Sequence, residues 1–245
     1  MERIQNKLVI IGDPFIDYYL DHNIKCFGGV LNVIENYKSI FDKEPVIYLP
    51  KEEPLTNFFI DFKKVNTNRI SNYYTAITDC INSNLCLVSD YNRGTVNHSK
   101  INIDSKIIIV DSKYNSFNHK CIQHIPVKIY RSNYSSFEEA IAQYYDYIIL
   151  SDASNDISFR ITAKKTSVTE VIKEAILKCS IGAGDTMLAS IGGVLNNYLN
   201  FEENQILEAI LFANKTCADV VSLPYTSVSK QTYRNHKCIL PNLMK

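Results

Sequence analysis

The chain has 245 residues, 46% of them hydrophobic, and its 26 Lys and Arg balance 26 Asp and Glu. That length buries a substantial core without disulfide or metal staples, and the apolar content excludes general disorder. Zero formal charge argues against a surface built for nucleic-acid phosphates or an anionic membrane, both of which favour concentrated basic charge.

Leu8–Ile11 is a short apolar run ending in Gly12-Asp13-Pro14. It predicts a buried first strand entering a turn, and it is too brief for a signal core or a spanning segment. Apolar residues at three- and four-residue intervals predict a helix over Val30–Phe41. The alternation continues with a strand at Val46–Leu49, a helix over Leu55–Val65, and strands at Leu85–Ser89, Ile107–Val110 and Val127–Tyr130. A helix over Phe137–Tyr145 and a strand at Tyr147–Leu150 come next. Ile157–Ile161 alternates with a two-residue period, and Ser167–Ile172 reads as its hairpin partner, an antiparallel edge. Helices over Asp185–Leu199 and Glu202–Val221 follow. Strands alternating with helices imply an α/β domain with a mostly parallel sheet covered on both faces, and with no repeat or low-complexity linker we expect one domain over 1–245.

The seven cysteines are odd in number and include no C-x-x-C pair. Reduced thiols in a cytoplasmic protein fit this better than a disulfide framework or a zinc ribbon. Cys179 and the pair His119 and His124 have spacings that specify neither a Cys–His nucleophile nor a metal motif.

Open α/β sheets bind ligands beyond the carboxyl ends of their strands. This directs attention to Gly12–Asp17, Ser89–Gly94, Asp111–Lys113 and Ile181–Asp185. The strongest signal is Ser180-Ile181-Gly182-Ala183-Gly184-Asp185-Thr186, which opens a helical pattern. A glycine turn at a helix N-terminus aims amides at an anion, and an Asp beside that anion suits a general base. A dinucleotide fingerprint fits poorly because Met187 stands where its third glycine belongs. A plain helix start capped by Asp185 is the blander alternative.

Asp13 and Asp17 lie four apart just past the first strand, where carboxylates can accept ligand hydroxyls, although Asp13 could equally cap the turn before Pro14. Gly28 and Gly29 permit close backbone approach, and Asn32 offers a donor and an acceptor or else caps a helix. Asp90, Arg93 and Lys113 follow strands facing the same crevice, and the Arg93 guanidinium suits a phosphate group of a ligand.

Taken in order, Val9–Asp17, Gly28-Gly29-Val30-Leu31-Asn32-Val33, Leu87–Gly94, Val110–Lys113 and Ile181–Thr186 resemble the ribokinase-like, or PfkB, carbohydrate kinases. Leu87–Gly94 and Val110–Lys113 look most like the heptose-7-phosphate kinase module of ADP-heptose synthases. The resemblance implies a three-layer α/β/α sandwich that transfers the γ-phosphate of ATP, with Mg²⁺, to a hydroxyl of a small sugar or sugar phosphate. It implies Asp185 as base, the Gly182, Ala183 and Gly184 amides as anion hole, and Asp17 as the sugar carboxylate. It places Asn133, Ser151, Thr186 and Asn214 on the nucleotide side, and in relatives an extended β lid covers the sugar and pairs subunits into a homodimer.

The sequence also departs from that pattern. Only a short stretch separates Asp17 from Gly28, so the lid is expected to be reduced or absent, with less water exclusion. Ser136 stands where Asn133-x-x would lead to Glu, the segment Ser151–Asp156 lacks glycine, and Cys179-Ser180-Ile181 replaces Asp-x-Thr. Two readings therefore stay open: a kinase with eroded ATP-site motifs, or a sugar-phosphate-binding pseudokinase acting as a sensor or partner subunit.

Overall fold

Continuous Val, Ile and Leu runs need apolar cover on both faces of a strand, and the computed structural model provides it. The structure describes residues 7–19, 22–50, 59–63, 76–96, 101–113, 117–151, 156–162, 166–171, 177–198 and 202–229. In chain order come β1 (Leu8–Gly12), β2 (Pro14–Tyr19), β3 (Ile24–Gly29), α1 (Val30–Phe41), β4 (Val46–Tyr48) and β5 (Phe59–Lys63). Then follow β6 (Cys80–Asp90), β7 (Asn102–Ser112), β8 (Val127–Asn133), β9 (Tyr147–Ser151), β10 (Asp156–Ile161) and β11 (Thr166–Val171). The helices α2 (Ala183–Leu195) and α3 (Glu203–Val221) complete the set.

The central sheet runs β11-β10-β9-β8-β7-β6-β1-β4. Its six strands from β9 to β4 are parallel, and β10 and β11 form the expected antiparallel edge. Alternate residues serve opposite faces. Ile10, Leu87, Ile109, Ile129 and Ile149 join a core with α1, α2 and α3. Ile11, Val88, Ile108, Val110 and Ile148 join a second core with Ile77, Phe117, Ile122 and Tyr145. This is the ribokinase-like α/β architecture, its second outer layer built from loops and short 3₁₀ turns among the described residues.

Three expectations change. Over the expected helix 137–145 the chain forms 3₁₀ turns at Tyr134–Ser136 and Glu139–Tyr144. A 3₁₀ turn rises about 2.0 Å per residue against 1.5 Å for an α-helix, which suits a short crossover that must travel back along the strands from β8 to β9. Within 55–65, the described residues form the strand β5, parallel to β2. A dense run of Phe and Ile fits either periodicity, and pairing with β2 decides it. The helix expected to reach Leu199 ends at Leu195, where Asn197 and Tyr198 donate to Val194 and Leu195 in tight turns.

The lid is present in reduced form. A separate three-stranded sheet of order β3-β2-β5 leaves the central sheet immediately after β1. Asp17 pairs in register with Cys26 on one side and Asp61 on the other.

Candidate active site

Parallel strands end on one edge of the sheet, so β1, β6, β7, β8 and β9 deliver Asp13, Asp90, Asp111, Arg131 and Ser151 to the same crevice. Asp13 is fully buried, and its carboxylate accepts the amides of Tyr91 (2.8 Å), Arg93 (3.0 Å) and Thr95 (3.1 Å). Burial raises its pKa, while the Arg93, Thr95 and Tyr91 bonds pull the other way. Asp90 likewise accepts the Asn92 amide (2.9 Å) and the Ser112 hydroxyl (2.9 Å). The structure thus turns these two carboxylates onto the loop 91–95, which they shape, and Asn92 and Gly94 take positive φ within it.

At the other end of the sequence, Gly182 sits at φ 87° as the N-cap of α2, a conformation that strains any residue with a Cβ. Ala183 donates its amide to Ser180 O at 3.3 Å, and Thr186 donates its amide and its hydroxyl to Gly182 O, each at 3.0 Å. Among the described residues neither Gly184 nor Asp185 donates its amide to a backbone carbonyl. Of the Gly182–Gly184 set expected from sequence, Ala183 is thus engaged within the turn, while Gly182 and Gly184, joined by Asp185, have amides with no backbone acceptor among the described residues.

Asp185 is 3% exposed. Its Oδ1 accepts the Tyr91 hydroxyl at 3.0 Å and its Oδ2 accepts Asn32 Nδ2 at 3.3 Å. Burial lifts its carboxyl from 3.8 to about 7, with Lys113 pulling it down and Asp111 pushing it up. Asn32 also reaches Gly182 O at 3.5 Å, and Asn36 Nδ2 holds its Oδ1 at 3.0 Å. Asn36 is anchored in turn by the Ser229 amide at 3.0 Å. The Gly28–Val33 segment thus places Asn32 on the Asp185 carboxylate.

The lid sheet brings in Asp17, 2% exposed, whose Oδ2 accepts the Thr226 hydroxyl. Tyr19 Oη lies 2.8 Å from the same hydroxyl. Gly28 lies so close that a Cβ there would meet the Phe15 ring at 2.5 Å and Asp17 Cγ at 3.0 Å. Thr226 also lines the anion turn, since a Cβ on Gly182 would come within 2.9 Å of its methyl and 2.7 Å of Asn32 Nδ2. The two carboxylates meet at Tyr91: its hydroxyl donates to Asp185, and the charges of Asp185, Asp111 and Asp17 join burial in pushing its pKa well up. Phe15 packs edge-on against the Tyr91 ring at 4.8 Å, and Lys113 Nζ lies 5.4 Å from its centroid.

On the remaining side Asp111 accepts Lys113 Nζ on Oδ1 at 2.7 Å and Arg131 Nη1 on Oδ2 at 2.9 Å. Burial pushes its pKa up, but the two cations prevail and hold it down. Ser151 accepts Arg131 Nη2 at 2.7 Å. Asn133 ends β8 half-buried, and Asn214 lies on the buried face of α3 with an Oδ1 that has no hydrogen-bond partner among the described residues. Three residues on, Cys217 donates its thiol to Ala183 O at 3.2 Å, which fixes α3 against the anion turn. Burial lifts that thiol to about 12. Among the described residues no group of three or more His, Cys, Asp and Glu side chains is placed to hold a metal ion. Both Asp111 oxygens are engaged by cations.

The sequence reading thus finds Asp17, Asn32, Lys113, Gly182, Gly184 and Asp185 gathered in one place. It misses Tyr91, Asp111, Arg131 and Thr226. The first two lie inside segments that the strand-end rule selects, and Arg131 lies near the carboxyl end of β8, where the same rule applies. Thr226 follows α3, and nothing in its sequence surroundings marks it.

Solved carbohydrate kinases share this architecture over nearly their whole lengths. Fructokinase from Vibrio cholerae O395, solved with fructose, ADP and calcium ion, is 9% identical, with 98% of this chain and 99% of that chain covered and a TM-score of 0.66. Ribokinase from Thermotoga maritima is 14% identical, with 96% and 99% covered and a TM-score of 0.67. Fructokinase from Xylella fastidiosa, solved with bound ATP, is 10% identical, with 98% and 100% covered and a TM-score of 0.65. No family model and no curated relative matches the sequence. Among the described residues no helix is long and apolar enough to cross a membrane.

Proposed function

We propose that the chain is an ATP-dependent carbohydrate kinase that transfers the γ-phosphate to a hydroxyl of a sugar or sugar phosphate. The observation that carries this reading is Asp185: a buried carboxylate with a pKa of about 7, between Tyr91 and Asn32, at the mouth of an amide turn. A base works best when its pKa lies near the operating pH.

In the reaction an acceptor hydroxyl takes the place of the Tyr91 hydroxyl on Asp185 Oδ1. Its proton passes to the carboxylate as its oxygen forms the new bond to phosphorus. The bond from phosphorus to the ADP oxygen breaks and ADP leaves with that electron pair. The amides of Gly184 and Asp185 stabilise charge on the phosphoryl oxygens, and positioning with electrostatics supplies most of the rate in such transfers. Asp17 holds the sugar, oriented by Thr226. Asn214, with its buried Oδ1 lacking a partner, borders the nucleotide base. A phosphorylated heptose is the first acceptor to test, on the resemblance of the 89–94 and 111–113 segments and the Arg93 side chain.

The test supplies the purified chain with ATP and a panel of sugars and sugar phosphates, reading ADP release and thermal stabilisation. The kinase reading expects stabilisation by ATP and by an acceptor, because a ligand bound only to the folded state raises its stability, together with ADP release. Stabilisation by sugar phosphates with none by ATP contradicts it and favours the sensor reading.

A further inference from the structure

Arg131 is absent from every motif of the sequence, yet it stands at the centre of the donor side. Its side chain is 4% exposed, and it lies two residues before the end of the central strand β8, beside Asp111 and Ser151. A guanidinium carries five N–H donors. Nη1 is engaged by Asp111 and Nη2 by Ser151, while the buried Nε has no hydrogen-bond partner among the described residues. Leaving a buried donor unpaired is costly, so it marks a place where an acceptor belongs.

The neighbourhood identifies that acceptor. A Cβ on Gly184 would meet Nη1 at 2.5 Å, Cζ at 3.1 Å and Nη2 at 3.3 Å, so the guanidinium rests directly on the anion turn. Asp111 is shared between Arg131 and Lys113, and the Asp185 carboxylate also feels both cations. The Cys217 thiol beside it is neutral. Where the family resemblance leads to a metal-organising Glu, Ser136 stands, and among the described residues no three His, Cys, Asp or Glu side chains cluster as metal ligands.

We propose that Arg131 is a phosphate-binding residue of the donor site, supplying from the protein itself the positive charge that meets the terminal phosphates of ATP at the Gly182–Asp185 turn. This rests on the kinase reading for the identity of the donor. Arginine suits the task because its fork binds phosphate oxygens in a fixed plane.

The experiment measures ATP and adenosine binding by calorimetry in EDTA, with wild type, Arg131→Gln and Arg131→Lys. Wild type binds ATP at least about tenfold more tightly than adenosine, and Arg131→Gln brings the two within about threefold while adenosine affinity stays unchanged. Arg131→Lys keeps the pairing with Asp111. It shows the same selective loss in smaller degree, at least about threefold, and decides the matter if the Gln variant does not fold. The proposal is overturned by an ATP preference that survives substitution, by equal loss for both ligands, or by a wild type without preference in EDTA. Arg131-dependent ATP binding without sugar phosphorylation would sink the kinase reading and leave the phosphate site standing. Sugar phosphorylation with Arg131-independent ATP binding would do the reverse.

Discussion

Asp185 illustrates how neighbours set the chemistry of one side chain. Burial alone would leave its carboxyl protonated at neutral pH, and Lys113 is the strongest influence pulling it back. Lys113→Met therefore moves the Asp185 pKa above about 7, since Asp111, still paired with Arg131, keeps pushing upward. The acid limb of the pH–rate profile for kcat/KM shifts to higher pH, and a profile identical to wild type would contradict this assignment. Much at this scale is legible in sequence: Gly182, Gly184, Asp185, Asn32 and Asp17 all sit in recognisable segments. The division of labour is not. Asp13 looks like a sugar ligand by position, yet its carboxylate also accepts three amides from the loop 91–95, and only the fold brings that loop to it.

At the level of elements, α2 joins packing to chemistry. Its residues from Asp185 to Leu195 are all buried, and Gly192 and Gly193 allow it to lie against Leu87 and Phe41. Its second turn glycine has a reason the sequence hides: the space beside Gly184 is filled by Arg131, which Asp111 and Ser151 pin in place. Gly184→Ala consequently destabilises the chain by about 1–3 kcal/mol, the usual cost of overpacking. It appears as a lower urea midpoint with unchanged m; an unchanged midpoint would show that Arg131 yields freely. The helices α1 and α3 are readable almost to the residue because their apolar spacing is unambiguous. The lid strands β2, β3 and β5 are not, because Pro14–Tyr19 and Phe59–Lys63 acquire their register only from one another, a long-range pairing that no local pattern encodes.

Across the whole molecule, the two sheets and the turn before α2 meet around Asp185 through Phe15, Tyr91 and Asn32, and burial there places a costly charge in the interior. An unfolded Asp185 ionises near 3.8, whereas the folded one holds its proton to about 7. Between these values the unfolded state binds fewer protons, so stability falls as pH rises, and the loss is complete above about 7. Asp185→Asn removes that penalty while keeping an acceptor for Asn32 and a donor that the Tyr91 oxygen can accept. At pH 8 the variant is more stable than wild type by on the order of a few kcal/mol, with about 2–4 °C in Tm for each, and the gain disappears near pH 4. An equal gain at both pH values would mean that the carboxylate is not strained by burial.

The same substitution tests the account most directly. With ATP and an acceptor that wild type phosphorylates, Asp185→Asn lowers kcat by at least about 10²-fold, the lower end for loss of a general base. Turnover at the wild-type level in that variant would contradict the central claim that this carboxylate takes the acceptor's proton.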